Sequence, residues 1–255
     1  MLNFLIKFFG SKITLMFHDT LVLDRWIWVK KYLIKYNNKT NLKLLDVGCG
    51  SGAMTIASAG LGFQSLGLSW DNINNIKAEM RAKISHIDNV KFSICDVRYL
   101  DMRKDLLNQY DVIICTENIE HIINDQKLMN DMYNCLKIGG MLYLTTPNFY
   151  FKPMYGDPIE KINPVNPIED GGHVVIGYKE NDLVLLCKNS GFKVIEIGYC
   201  SGFFSQKIST IFRIINNYFG HLIATLIILP FRILPIFFDK YIKYENYSIT
   251  LVAKK

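Results

Sequence analysis

No two of the six cysteines, at positions 49, 95, 115, 135, 187 and 200, form a C-x-x-C pair. Without that spacing, paired-cysteine chemistry has no footing, and the thiols read as reduced, buried, small hydrophobes of a cytosolic protein. No internal repeat is evident. The stretch "MLNFLIKFFGSKITLMF" lacks a sustained apolar core and a small-residue cleavage site, so it is not read as a secretory signal. There is no broad basic groove and no recognisable RNA-binding domain, which makes nucleic acid the weakest partner class. Charge is thin: a fifth of the residues are charged, and none of them lies between Ile214 and Phe231.

Half of the 255 residues are hydrophobic, the mean hydropathy is +0.14 and the net charge is +6. This is a globular composition with enough chain for one sizeable core. The first 40 residues hold Lys7, Lys12, Arg25, Lys30, Lys31, Lys35 and Lys39 against Asp19 and Asp24 alone. Basic residues interleaved with Phe, Ile, Leu and Trp suit either an anionic membrane surface or a solvated helix face. The spacing predicts an N-terminal helical segment over 1–40 and one principal domain over 41–255.

From "NLKLLDVGCGSG" onward, short apolar strands at 43–48, 64–68, 90–94, 110–115 and 140–145 alternate with helical patterns near 52–60, 71–86 and 124–137. This alternation predicts βαβ units and a doubly wound α/β parallel sheet with helices on both faces. The aromatic, proline-bearing stretch 147–175 breaks the rhythm, and a loop of that length reads as a cover for an active site. A helix near 179–190 and the strand "GFKVIEIGY" follow, and "YSITLVAKK" closes the chain. Between those two strands lies the hydrophobic insertion 203–243. Its uncharged run is just long enough to span a membrane, but if both flanking strands share one sheet, both ends stay on one side. An interfacial hairpin satisfies both constraints, and so does an apolar cap over the pocket.

"LLDVGCGSG" runs a strand into a glycine-dense turn and then a helix, a place for a carboxylate or phosphate. The order is D-x-G-x-G-x-G rather than G-x-G-x-x-G. With "GLSWDN", "CDV", "TENIEH" and "CLKIGGMLYLTTPN" following in order, residues 41–200 resemble class I S-adenosylmethionine-dependent methyltransferases. The resemblance implies a Rossmann-like seven-stranded sheet with a reversed final strand. It places Asp46, Gly48, Cys49, Gly50 and Gly52 around the amino-acid portion of S-adenosylmethionine, and Asp96 and Val97 at its adenine. The acid expected at the end of the second strand is replaced by Ser69, a hydroxyl only. Asp71 then becomes the candidate for the ribose and Trp70 for stacking on adenine.

"CTENIEHI" sets Glu117, Glu120 and His121 at i, i+3 and i+4, which on one helical turn is a single face. With His173 in "EDGGHVVIGYKENDL", this E-x-x-E-H pattern resembles the ubiquinone-pathway O-methyltransferases and the small-RNA 2′-O-methyltransferases. The resemblance implies that Glu117, Glu120, His121 and His173 bind a divalent cation (Mg, Mn, Fe or Zn), with Glu120, His121 and His173 also catalytic. A bound cation lowers the pKa of an acceptor hydroxyl. In the competing metal-free reading, Glu120 and His121 pack the turn and one histidine acts as general base. The acceptor is expected to be a small molecule, a glycan or quinol-like ring, lipid-linked if the insertion meets a membrane, with the protein cytoplasmic and peripherally membrane-associated. Two further readings stay open: a nonenzymatic cofactor-binding module that docks a partner, and a nucleotide-dependent oxidoreductase, against which Ser69 counts.

Overall fold

The computed structural model describes residues 15, 19–36, 39–157 and 168–255. The chain enters through helix α1 (Thr20–Leu33), whose first turn is capped by the Asp19 carboxylate. Lys7, Lys12 and His18 lie outside the described residues, as does 158–167 of the expected active-site loop. After α1 come β1 (Lys43–Val47), α2 (Ala53–Ala59), β2 (Gln64–Ser69), α3 (Asn72–Ile84), β3 (Val90–Ile94), β4 (Tyr110–Thr116), α4 (Asp125–Cys135), β5 (Leu136–Pro147), α5 (Glu180–Asn189) and β6 (Lys193–Cys200). Then α6 (Phe203–Ile228), the short α7 (Leu234–Phe238) and β7 (Ser248–Lys254) complete the chain.

The seven strands lie in the order β3-β2-β1-β4-β5-β7-β6. All neighbours are parallel except β7, which runs antiparallel to both β5 and β6. The alternation along each strand divides the core in two, because successive side chains point to opposite faces. Leu45, Val47, Ile113, Cys115, Leu142, Leu144 and Leu251 join α4 and α5 on one face. Leu44, Val112, Ile114, Tyr143 and Val252 join α1 and α2 on the other. The seven-stranded sheet with its reversed last strand is thus as expected. β5 begins four residues earlier than the pattern indicates, because α4 ends at Cys135 and the chain enters the strand at once, with a register shift between Tyr110 and Val112 of β4.

The insertion before β7 is a helical hairpin. α6 is broken at Gly220, whose φ of 81° and ψ of 164° leave the helical region. The second arm returns to Asp239, and its carboxylate takes the N–H groups of Gly202 (3.1 Å), Phe204 (2.6 Å) and Ser205 (3.3 Å) and the Ser205 hydroxyl (2.9 Å). One acid therefore satisfies the open amides at the start of α6 and staples the two ends of the hairpin together. Ile208, Phe212, Ala224 and Ile228 give it a small core of its own. α6 packs on α1, where the Ser209 hydroxyl donates to Asp19.

Candidate functional site

The strand order reverses between β1 and β4, and the crevice beyond the carboxyl ends of the strands at such a point is where open α/β sheets bind ligands. A cavity of about 410 Å³ opens there. Its wall is built from the turns after β1 (Gly48, Gly50), β2 (Ser69, Trp70, Asp71), β3 (Asp96, Val97, Arg98) and β4 (Glu117, Asn118, His121), and from Glu169 to Gly171 of the later loop.

The three glycines of the first turn all have positive φ, 82° at Gly48, 51° at Gly50 and 77° at Gly52, but they serve three purposes. A Cβ at Gly50 would meet nothing within 4 Å, so this backbone is open to a ligand. A Cβ at Gly48 would fall 2.3 Å from the Asn118 side chain, so this glycine lets the fourth turn close against the first. At Gly52 the obstacles are Ala78 and Phe92, both at 2.7 Å, so here the absent side chain serves packing. Asp46, Cys49 and Gly52 are not among the residues lining the cavity. The Cys49 thiol packs toward Gly67, and burial pushes its pKa up.

Asp46 is 1% exposed and accepts a 2.6 Å hydrogen bond from the Thr55 hydroxyl, which ties β1 to α2. Burial pushes its pKa up to about 7, and the Thr55 contacts offset this only in part. The unfolded chain releases this proton near pH 4 and the folded chain near 7, so the folded state holds the extra proton between those values. Stability must therefore fall as pH rises through that window, by roughly 2–4 kcal/mol from this group. Denaturant titrations of wild type and Asp46→Asn from pH 4 to 8 check this: the difference between the two proteins should open across the window and then level off.

After β2, Asp71 caps α3 by accepting from the Ile73 N–H at 2.8 Å, and the Ser69 hydroxyl accepts from the Asp71 N–H at 3.3 Å. Trp70 is 65% exposed at the rim. After β3, Arg98 binds the Asp96 carboxylate through Nη2 at 2.5 Å and Nε at 2.9 Å, and these bonds hold Asp96 below the usual carboxylate range. The same guanidinium reaches Glu169 at 3.0 Å, fastening the later loop to the cavity rim. Arg98 is a site residue the sequence reading overlooks. An adenine amino group can use only the lone pairs that Arg98 leaves free on Asp96.

After β4 the expected shared helical face is not formed. Glu117 has φ of +48° and stands before a single 3₁₀ turn, Ile119–His121, so its side chain leaves in another direction. The Arg25 guanidinium of α1 meets its carboxylate at 3.1 Å, and the Ser248 hydroxyl of β7 donates to it at 3.0 Å. Burial pulls the Arg25 pKa down, but the charges of Glu117, Cys200, Tyr247 and Asp19 together outweigh it and the net shift is upward. Arg25 was also overlooked, although the signal is legible: Leu21, Arg25, Trp28, Val29, Tyr32 and Leu33 repeat at helical spacing and all are buried. A buried arginine requires an acid.

Glu120, His121 and His173 do come together, with one ligand atom from each within 4.8 Å of the others. Glu120 is fully buried; its Oε2 accepts from the Thr146 hydroxyl at 3.1 Å, and its Oε1 has no hydrogen-bond partner among the described residues. Burial, and then the nearby Glu117, drive its pKa well above the ordinary value. The His121 Nδ1 lies 3.0 Å from the Gly172 carbonyl. A carbonyl can only accept, so in the neutral ring Nδ1 carries the proton and Nε2 keeps its lone pair. The His173 ring stands edge-on to His121 with centroids 4.7 Å apart. Burial, followed by the His121 charge, pushes its pKa down to about 4. The Glu120 carbonyl accepts from Val174 and Val175, which positions His173. An orphaned buried carboxylate oxygen beside two imidazoles has the donor set a divalent cation takes.

A family described as a methyltransferase domain matches residues 24–197 and stops short of the helical hairpin. A ubiquinone biosynthesis O-methyltransferase of Rickettsia felis is 32% identical over 120 residues, 47% of each chain. The counterpart of Glaesserella parasuis is 28% identical over 177 residues, 64% of this chain and 72% of that one. The chain spans about half the length of the first of these relatives. Among solved structures, a putative S-adenosylmethionine-dependent methyltransferase of Listeria monocytogenes superposes with a TM-score of 0.59 at 16% identity, covering 91% of this chain and 97% of that one. A putative sarcosine dimethylglycine methyltransferase of Galdieria sulphuraria gives 0.61 at 14%, covering 91% and 85%.

Proposed function

We propose that this chain, which belongs to the methyltransferase-domain family, transfers the methyl group of S-adenosylmethionine to a hydroxyl oxygen of a small quinol-like or glycan acceptor, carried on a lipid. One observation carries the reading: a single cavity reaches from the open backbone of Gly50 to the His121 ring. When bound, S-adenosylmethionine supplies an electrophilic methyl group on a sulfonium. Gly50 offers unobstructed backbone to it, and Asp71, Trp70 and Asp96 line the part of the cavity suited to its nucleoside.

The acceptor hydroxyl must lose a proton as its oxygen attacks. In a metal-free site, Nε2 of His121 is the base this chain presents, its tautomer set by Gly172; in a metal-loaded site the same lone pair would ligate the cation instead. Glu120, His121 and His173 would hold a divalent cation, which would supply Lewis acidity that favours the ionised acceptor oxygen. With its pKa near 4, His173 stays unprotonated at neutral pH and keeps a lone pair for that role. Glu117 is engaged by Arg25 and supports the wall beside the trio.

Calorimetry with S-adenosylhomocysteine tests the donor site, and saturable one-to-one binding is expected. Chelation followed by metal replacement tests the cation: activity on a catechol-type acceptor should fall on chelation and return with one of the four metals. Absence of nucleoside binding removes the methyl-transfer reading altogether, whereas full activity after chelation removes only the cation.

A further inference from the structure

The hairpin between β6 and β7 carries a large apolar surface into solvent. Tyr218, Phe219, Leu226, Ile227, Phe231 and Phe237 are 47–72% exposed. The helical stretch Phe203–Tyr241 has a mean hydropathy of 2.0 in its most apolar window, only 28% of which is buried. A satellite of a soluble core buries such residues, and a patch of this kind marks an interaction surface. No aspartate or glutamate occurs from Phe203 to Phe238. Asp239, at the foot, turns its carboxylate inward to the amides of α6.

Charge is arranged around the foot of the hairpin rather than on its apolar arms. Lys207 lies 5.6 Å from the ring centre of Tyr244, Lys152 lies 4.7 Å from the same ring, and Lys240 lies 4.8 Å from that of Tyr241. Lysines beside amphipathic aromatic rings, ringing an apolar projection, form the pattern of a membrane interface. These lysines share one complement, an anionic headgroup. The lysines of α1 do not take part: Lys31 pairs with Glu196 partway along β6, while it is the other end of α1 that packs on α6.

Topology settles the mode of contact. Cys200 pairs with Ser248 in adjacent antiparallel strands, so both ends of the hairpin leave the sheet at one point, and it can lie in a membrane surface without crossing. That point is the cavity wall, since the Ser248 hydroxyl bonds Glu117. α6 also grips the loop beyond β5, with Arg213 bonding the Asp157 carboxylate at 2.6 Å and the Tyr155 carbonyl at 3.2 Å.

We propose that the hairpin docks this protein on an anionic bilayer and turns the cavity toward it, so that the acceptor enters from the membrane. The docking stands by itself; the acceptor route rests on the methyl-transfer reading. Flotation of the full chain with vesicles of phosphatidylcholine, with or without phosphatidylglycerol, tests the first part. Capture by the anionic vesicles at low salt is expected, falling by roughly 25-fold in Lys240→Gln with Lys207→Gln, at about fivefold per lysine. Phe219→Glu with Ile227→Glu should abolish capture on either lipid, while S-adenosylhomocysteine binding by the same variants stays at the wild-type level, showing that they are folded. Wild-type protein that remains at the bottom of the gradient at low salt overturns the docking. So does a dimer in sedimentation that the apolar variants dissolve, because a second copy would then cover the face. Flotation without nucleoside binding upholds the docking and overturns the acceptor route.

Discussion

Replacing His121 by alanine is expected to lower kcat by about 10²–10⁴-fold, the range for loss of a positioned general base. The effect should be this large because, among the described residues lining the cavity, no other offers a neutral nitrogen with a fixed tautomer. Nδ1 is committed to the Gly172 carbonyl, and Nε2 alone is available to the acceptor or a cation. Steady-state kinetics with S-adenosylhomocysteine calorimetry on the same protein is the measurement, and the variant should still bind the demethylated donor. Glu120→Gln then separates the two catalytic schemes. Without a cation, burial and the nearby Glu117 favour the neutral form of Glu120, and glutamine reproduces a neutral side chain that still accepts from Thr146. The substitution is then nearly silent. With a cation, an anionic ligand is lost, and metal affinity falls together with activity. A silent Glu120→Gln would retire the cation.

The second large effect is on stability. Arg25→Met should destabilise the protein by about 3–5 kcal/mol, the cost of leaving one member of a buried ion pair uncompensated. Arg25 and Glu117 are 10% and 14% exposed at the side chain and 3.1 Å apart, and Ser248 bonds both. Methionine keeps most of the volume, so the loss is electrostatic rather than a cavity effect. Chemical denaturation of the two single variants and of Arg25→Met with Glu117→Gln gives the coupling; the double variant should recover much of the loss. Additive losses would show that the pair contributes only packing. Because Glu117 already holds a left-handed backbone, its ion pair is also what keeps the turn after β4 in place.

The sheet was legible because its signal is redundant. Short apolar runs, glycine turns and strand–helix spacing all point the same way. The trio was only half legible. Glu120 and His121 are neighbours in sequence, and His173 stood out as the single histidine of the aromatic, proline-bearing loop. Glu117 went astray because i, i+3, i+4 spacing implies a common face only if every intervening residue is helical. The φ of +48° at Glu117 removes that condition. Arg98 and Asn118 act through contacts to Glu169 and Gly48, and no local pattern encodes such distant partners. Arg25 was within reach, since an arginine in phase with five other buried helical positions announces a hidden acid.

The Asp239 staple has a consequence for the architecture as a whole. The Tyr247 N–H bonds the Ser201 carbonyl at 2.9 Å, and with Cys200 paired to Ser248 the last two strands are joined below the hairpin, whatever lies above it. The sheet edge is therefore a socket: the pairing of β6 with β7 does not depend on the segment seated in it, whose own ties run to α1 and the loop beyond β5. On the proposed reading, membrane docking is thus coded separately from methyl transfer.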